Sequence, residues 1–163
     1  PDNEPPTLGG RGPRVTEPGT APLPATIMAF DFGTARVGVA VGNALTQSAT
    51  PLTTIAAPGR AARLRAVDPL VRTWQPDLLV VGEPSHADGS PHPTARAARQ
   101  FAKAIGSRFA RPCLMIDERL SSHEAATRLA QSDRATRALG LDAMAAAVIA
   151  ESYLRAPDAA VQP

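Results

Sequence analysis

Residues 27–42, IMAFDFGTARVGVAVG, set a carboxylate inside an apolar strand. Ile27-Met28-Ala29-Phe30 runs into Asp31, Gly33-Thr34-Ala35 turns the chain, and Val37 to Val41 returns as a second apolar run. The pair reads as a β-hairpin with its first strand over residues 26–32. A strand apolar on both faces belongs in the middle of a covered sheet. An acid there needs a partner, because an uncompensated buried charge is costly.

The rest of the chain supplies the covering layers. A third strand fits residues 51–56, PLTTIA, and Leu64, Val67, Leu70, Val71 and Trp74 recur at helical spacing up to Pro76. Residues 77–82, DLLVVG, form a buried strand, and residues 94–109 a helix with Ala97, Phe101 and Ile105 inward. Residues 113–116, CLMI, make a fifth strand ending in Asp117-Glu118-Arg119. Ser121 and Glu124 have capping-box spacing for a further helix, and Asp142 begins the last one. The expected fold is α/β: a mixed five-stranded sheet, its first three strands antiparallel, the others joined by βαβ crossovers, with helices on its faces.

Outside this region the composition changes. Residues 1–25 are rich in proline and glycine with few large apolar side chains, so a disordered tail is expected. Residues 156–163, APDAAVQP, read as a flexible C-terminal tail, leaving residues 26–155 as the folded domain. The single cysteine, Cys113, excludes an internal disulfide and reads as core filling. With no apolar run near membrane-spanning length and no apolar signal segment, the expected location is cytoplasmic, with no membrane partner. Of the 17 basic residues only Lys103 is lysine. Arginine forks match phosphate well, although a GC-rich genome also favours arginine and alanine together.

Three acids stand out: Asp31 in the first strand, Asp117-Glu118 at the end of the fifth, and Asp142 at the start of the last helix. Singly, each has a local explanation: a turn contact near Gly33, an ion pair with a neighbouring arginine, and an N-cap. Together they favour another reading. Ligand sites in open sheets gather at the carboxyl ends of strands, and clustered carboxylates repel one another unless a cation joins them. Hard divalent ions take such oxygen ligands and complete their shells with water and phosphate.

The stretches DFGTARVGVAV, LLVVGEPSHADGS, IDERLSS and DAMAAAVIAESYL resemble, in order and spacing, the motifs of the YqgF/RuvX family, bacterial relatives of RuvC-type Holliday junction resolvases. The resemblance spans nearly all of residues 26–155. It implies an RNase H-like fold and a metal-dependent endonuclease in which Asp31, Glu118 and Asp142 are the catalytic metal ligands. It also implies Mg²⁺ or Mn²⁺, two ions, and products with a 5′-phosphate and a 3′-hydroxyl. Two positions depart from the pattern: Glu83 stands where leucine is usual, and Leu120-Ser121-Ser122 replaces Leu-Thr-Thr. Whether Asp117 or Glu83 joins the acids stays open at this level.

Arg36 and Arg119 are the expected phosphate contacts, and Arg96, Arg99 and Lys103 form a possible basic stripe on one helix. His86 and His92 flank a loop near the expected site, and His123 reads as an exposed helix residue. The family associations imply precursor 16S rRNA, matured at its 5′ end, as the leading substrate and a four-way DNA junction as the alternative. A non-catalytic nucleic-acid-binding or ribosome-assembly module is a further reading; an actin-like ATPase would need a second such domain. Monomer and homodimer both fit the sequence.

Overall fold

The computed structural model describes residues 25–86, 88, 90, 92–118 and 121–163. Five strands, β1 (Thr26–Phe32), β2 (Val37–Asn43), β3 (Ser48–Ile55), β4 (Leu78–Glu83) and β5 (Cys113–Asp117), form one sheet in the order β3-β2-β1-β4-β5. β1-β2-β3 are antiparallel neighbours, while β4 runs parallel to both β1 and β5. Helices α1 (Arg60–Trp74) and α2 (Ala95–Phe109) make the crossovers; α3 (Ser121–Ala130), α4 (Arg134–Leu139) and α5 (Leu141–Arg155) follow β5.

Strand alternation sorts the apolar residues onto two faces. Met28 and Phe30 of β1, Val37 and Val39 of β2, Leu79 and Val81 of β4, and Met115 of β5 pack against α1 and α2 through Val67, Val71, Phe101 and Ile105. Ile27, Ala29, Leu78, Val80 and Ile116 face α5 through Ile149, Ala150 and Tyr153. On β2 the α5-facing row is Gly38, Ala40 and Gly42. These small residues let an alanine-rich helix lie close, with Ala40 packed among Ala145, Ala146 and Ala147. α5 is therefore buried on nearly every side.

Both sheet edges are managed. On β3, Pro51 faces Ala40 where the register with β2 slips, an arrangement suited to an edge strand because proline gives no N–H to a ladder. On β5, Met115 and Val161 exchange backbone hydrogen bonds of 2.8 and 2.9 Å. Residues 156–163, expected as a flexible tail, thus include a 3₁₀ turn over Pro157–Ala159 and a return to the sheet. The open N–H and C=O groups of an edge strand explain that docking.

Two further expectations need adjustment. Trp74, which recurs at helical spacing with the apolar residues of α1, is 42% exposed, whereas Arg63 in the same helix is buried at 7%. α4 was not anticipated, although Asp133 caps it by accepting from the Thr136 amide at 2.7 Å. The predicted N-terminal tail, residues 1–25, lies outside the described residues except for Ala25.

Candidate active site

Asp31 sits near the carboxyl end of β1, on the α5 side with Ile27 and Ala29. Its neighbour on β2 is Gly38, and the β1–β4 register, continued one step beyond Phe30 and Val81, sets Gly82 on its other side. Both glycines leave room that another element fills. A Cβ on Gly38 would lie 1.8 Å from the backbone oxygen of Asp142, and one on Gly82 would lie 2.7 Å from Glu118 Oε2. The start of α5 and the residue after β5 therefore converge on Asp31 from opposite flanks, across positions that have no side chain.

The electrostatics agree with the convergence. Burial pushes the Asp31 carboxyl up and the Asp142 charge adds to that rise, while a hydrogen bond with Glu118 pulls in the other direction. Asp142 is not the cap of α5. Gly140 occupies that position, with a positive φ of 91° that favours glycine and no side-chain cap. The Asp142 side chain is thus available elsewhere, and its Oδ2 accepts from Arg36 Nε at 2.8 Å. Arg36 is 62% exposed in its side chain, so its guanidinium reaches from solvent into the acid group. Among the described residues, no three His, Cys, Asp or Glu side chains stand together as a ready-made ion site. The Arg36 contact holds the third carboxylate by a different cation.

Alternation separates Glu118 from its neighbour. Glu118 N donates to the Glu83 carbonyl at 3.3 Å, continuing the β5 ladder by one residue. Glu118 shares the α5 face with Ile116, while Asp117 takes the other and accepts from Ser85 Oγ at 2.8 Å. Glu83, paired with Asp117 in register, also faces away and is bound by Arg99 of α2, with Nε at 3.0 Å. Alternation along the strands thus sets Asp117 and Glu83 on the face away from Asp31. Because Arg99 is engaged by Glu83, the basic stripe on α2 is reduced to exposed Arg96 and Lys103.

The remaining candidates are placed as follows. Arg119 lies outside the described residues. The His86 and His92 rings lie 5.1 Å apart in the loop before α2, with His92 Nδ1 contacting Thr94 Oγ1 at 2.7 Å. His123 is exposed on α3. Cys113 is buried, and desolvation pushes its thiol up to about 12, which leaves it no thiolate character at neutral pH.

Arg63 was missed from the sequence. Its Nη1 donates to the Gly33 carbonyl at 2.9 Å, Nη2 to the Thr34 carbonyl, and Nε to the Ala57 carbonyl at 3.2 Å. One buried guanidinium thereby fastens the turn that follows Asp31. The available signal was its four-residue spacing from Val67 and Val71, which puts it on the buried stripe of α1.

Comparisons with known proteins agree on one family. A protein of Paraburkholderia phymatum named "Putative pre-16S rRNA nuclease" is 46% identical over 136 residues, covering 83% of this chain and 89% of that protein. Proteins of the same name from Dechloromonas aromatica and Burkholderia multivorans are 44% and 45% identical, covering 81% and 83% of this chain and 92% and 93% of theirs. Among solved structures, T. thermophilus RuvC in complex with a Holliday junction substrate aligns with a TM-score of 0.51 at 14% identity. That alignment covers 80% of this chain and 94% of RuvC, so the shared feature is the RNase H-like fold. The model of the RuvX family, described as Holliday junction resolvase, matches residues 25–156, and the chain belongs to that family.

Proposed function

We propose that this protein is a divalent-metal-dependent endonuclease of structured nucleic acid, acting in the 5′-end maturation of precursor 16S rRNA. The observation that carries the reading is that Asp31 shares a hydrogen bond with Glu118 and feels the charge of Asp142, with Gly38 and Gly82 leaving room for α5 and Glu118 on its two flanks. A cluster of like charges raises its own energy, and beside phosphate it brings no benefit to a protein that only binds. The names of relatives at 44–46% identity favour the rRNA substrate. The description of the family model and the RuvC-like fold support the second reading, cleavage of four-way DNA junctions.

The donor chemistry fits a hard cation: carboxylate oxygens, with no thiol or imidazole among the three groups. Mg²⁺ or Mn²⁺ bound there, as two ions, would supply an activated water and stabilise the leaving oxygen. The protein's own part is positioning. Asp31 is fixed on a central strand, Glu118 is presented by the β5 ladder, and Asp142 by the first turn of α5. Arg36 neutralises Asp142 and, being mostly exposed, can transfer its guanidinium to a substrate phosphate, which it matches in geometry. Arg119, next to Glu118 in sequence, is the second phosphate contact in this reading. Hydrolysis would leave a 5′-phosphate and a 3′-hydroxyl. The folded domain, residues 26–155, then acts as one nuclease unit in the cytoplasm. Among the described residues, no helix is long and apolar enough to cross a membrane.

The test presents purified protein, with Mg²⁺ or Mn²⁺, with a labelled precursor rRNA fragment and a labelled four-way junction. Asp31→Asn and Asp142→Asn should each lower cleavage about 10²-fold or more, as loss of a transition-state electrostatic contact does, with unchanged circular dichroism. Cleavage by both variants at the parent's rate would refute the reading.

A further inference from the structure

We propose that the cavity between α1 and α2 takes a single unpaired nucleobase of the same polynucleotide whose phosphate faces Asp31; this rests on the nuclease reading above. The cavity has a volume of about 290 Å³, and its walls include Phe32, Arg60, Arg63, Ala97, Gln100 and Phe101. That size falls at the bottom of the range of roughly 300–1,000 Å³ usual for small-molecule sites, which suits one ring system.

Position links the cavity to the acids. Phe32 directly follows Asp31 on β1, so their Cα atoms are about 3.8 Å apart while their side chains take opposite faces. In this proposal a strand with its phosphate at Asp31 passes over the end of the sheet, and an adjoining base turns to the Phe32 face. The turn that follows both residues, at Gly33 and Thr34, is held by Arg63, which also lines the cavity, so the two subsites keep a fixed relation.

The lining has the chemistry of a base-stacking site. The half-buried Phe32 ring is the stacking surface; buried Phe101, with its ring 5.3 Å away at 38°, and the buried Arg63 guanidinium, 5.5 Å from the Phe32 centroid, back it. Aromatic faces and arginine planes are the surfaces on which single-stranded bases stack. Gln100 and Arg60 are exposed at the rim; the amide offers both a donor and an acceptor, and the guanidinium donors, to the edge of a planar heterocycle. The cavity walls include no carboxylate to repel a nucleotide. A base held in a helix cannot enter, so the strand must be unpaired or splayed next to the cut.

The experiment measures binding in EDTA, by fluorescence anisotropy, to RNA and DNA oligonucleotides in which one abasic site is walked past the cleavage position. Removal of one particular base should weaken binding by the parent about tenfold, within the range that loss of one stacked base produces. Ala97→Phe, which fills the cavity from its α2 wall, should bind the intact strand as weakly and be indifferent to that abasic site. Its cleavage defect should lie in KM more than in kcat. Gln100→Ala, at an exposed helix position, gives the same comparison should Ala97→Phe fold poorly. The pocket is refuted if the parent ignores abasic sites at every position, or if both variants discriminate as the parent does. If the parent cuts nothing yet one abasic site still weakens its binding, the pocket stands and the nuclease reading fails. If Asp31→Asn alone loses cleavage and keeps the abasic response, both stand.

Discussion

Gly38 and Asp142 are in direct backbone contact: the space where a Cβ on Gly38 would sit is filled by the Asp142 carbonyl group. α5 begins against β2 only because that strand position lacks a side chain. Gly38→Ala must displace the helix start, since backbone, unlike a long side chain, cannot swing away. Overpacking of this kind costs about 1–3 kcal/mol. We expect a lower denaturant midpoint and a loss of cleavage larger than that midpoint explains, because Asp142 moves with the helix. An unaltered midpoint would show that the contact gives way easily.

Glu118, Asp117 and Glu83 differ in which face of the sheet they take. Glu118→Gln should abolish most cleavage. Asp117→Asn and Glu83→Gln, whose side chains bind Ser85 and Arg99 on the other face, should keep it. Because the Glu83–Arg99 pair is solvent-accessible, its loss should change stability by no more than about 1 kcal/mol. Cleavage rates with the three variants at matched metal concentration decide the matter; a dead Asp117→Asn beside an active Glu118→Gln would reverse the assignment.

Asp31 should reduce stability at neutral pH. Its carboxyl is raised, first by burial and then by Asp142, so the folded state favours the protonated form. The unfolded chain releases that proton at lower pH. The favourable contribution is therefore complete only at acid pH and is lost as pH rises through the folded value. In the presence of chelator, Asp31→Asn should raise the urea midpoint at pH 7, and the gain should shrink as pH falls into the ordinary carboxylate range. A destabilised Asp31→Asn at pH 7 would contradict this sign.

Cys113 should resist alkylation. Its thiol is buried and pushed up to about 12, so almost no thiolate forms at pH 8. Iodoacetamide should label the protein only in denaturant, read by mass spectrometry. Rapid labelling of the folded protein would mean that β5 opens readily.

The strands and the long helices were legible because their apolar runs are local and bounded by glycine and proline. The three acids stood out in the sequence as charges at two strand ends and a helix start, and their role as a metal site is the reading proposed above. What sequence could not give was direction. The family resemblance named Glu118 over Asp117, but the β5 register is what sets the two on opposite faces, and the engagement of Glu83 needs the position of Arg99, sixteen residues away on another element. Arg63 was obscured because a charged residue on an inner stripe counts against burial, until the carbonyls of Gly33, Thr34 and Ala57 are seen to surround it. The docking of the chain end was hidden for a related reason. Proline and alanine predict little by themselves, and the unpaired edge of β5 that receives Val161 is made elsewhere in the chain.

The alanine run of α5, which composition alone would assign to codon usage, acts as a spacer. Its thickness sets how far the helix stands from β2, and the helix carries Asp142 at one end. An enlargement at Ala146 or Ala147, two turns or less from the acid, would tilt the whole rod like a shim under a lever. Activity should then decline through altered spacing while every charged group remains chemically intact.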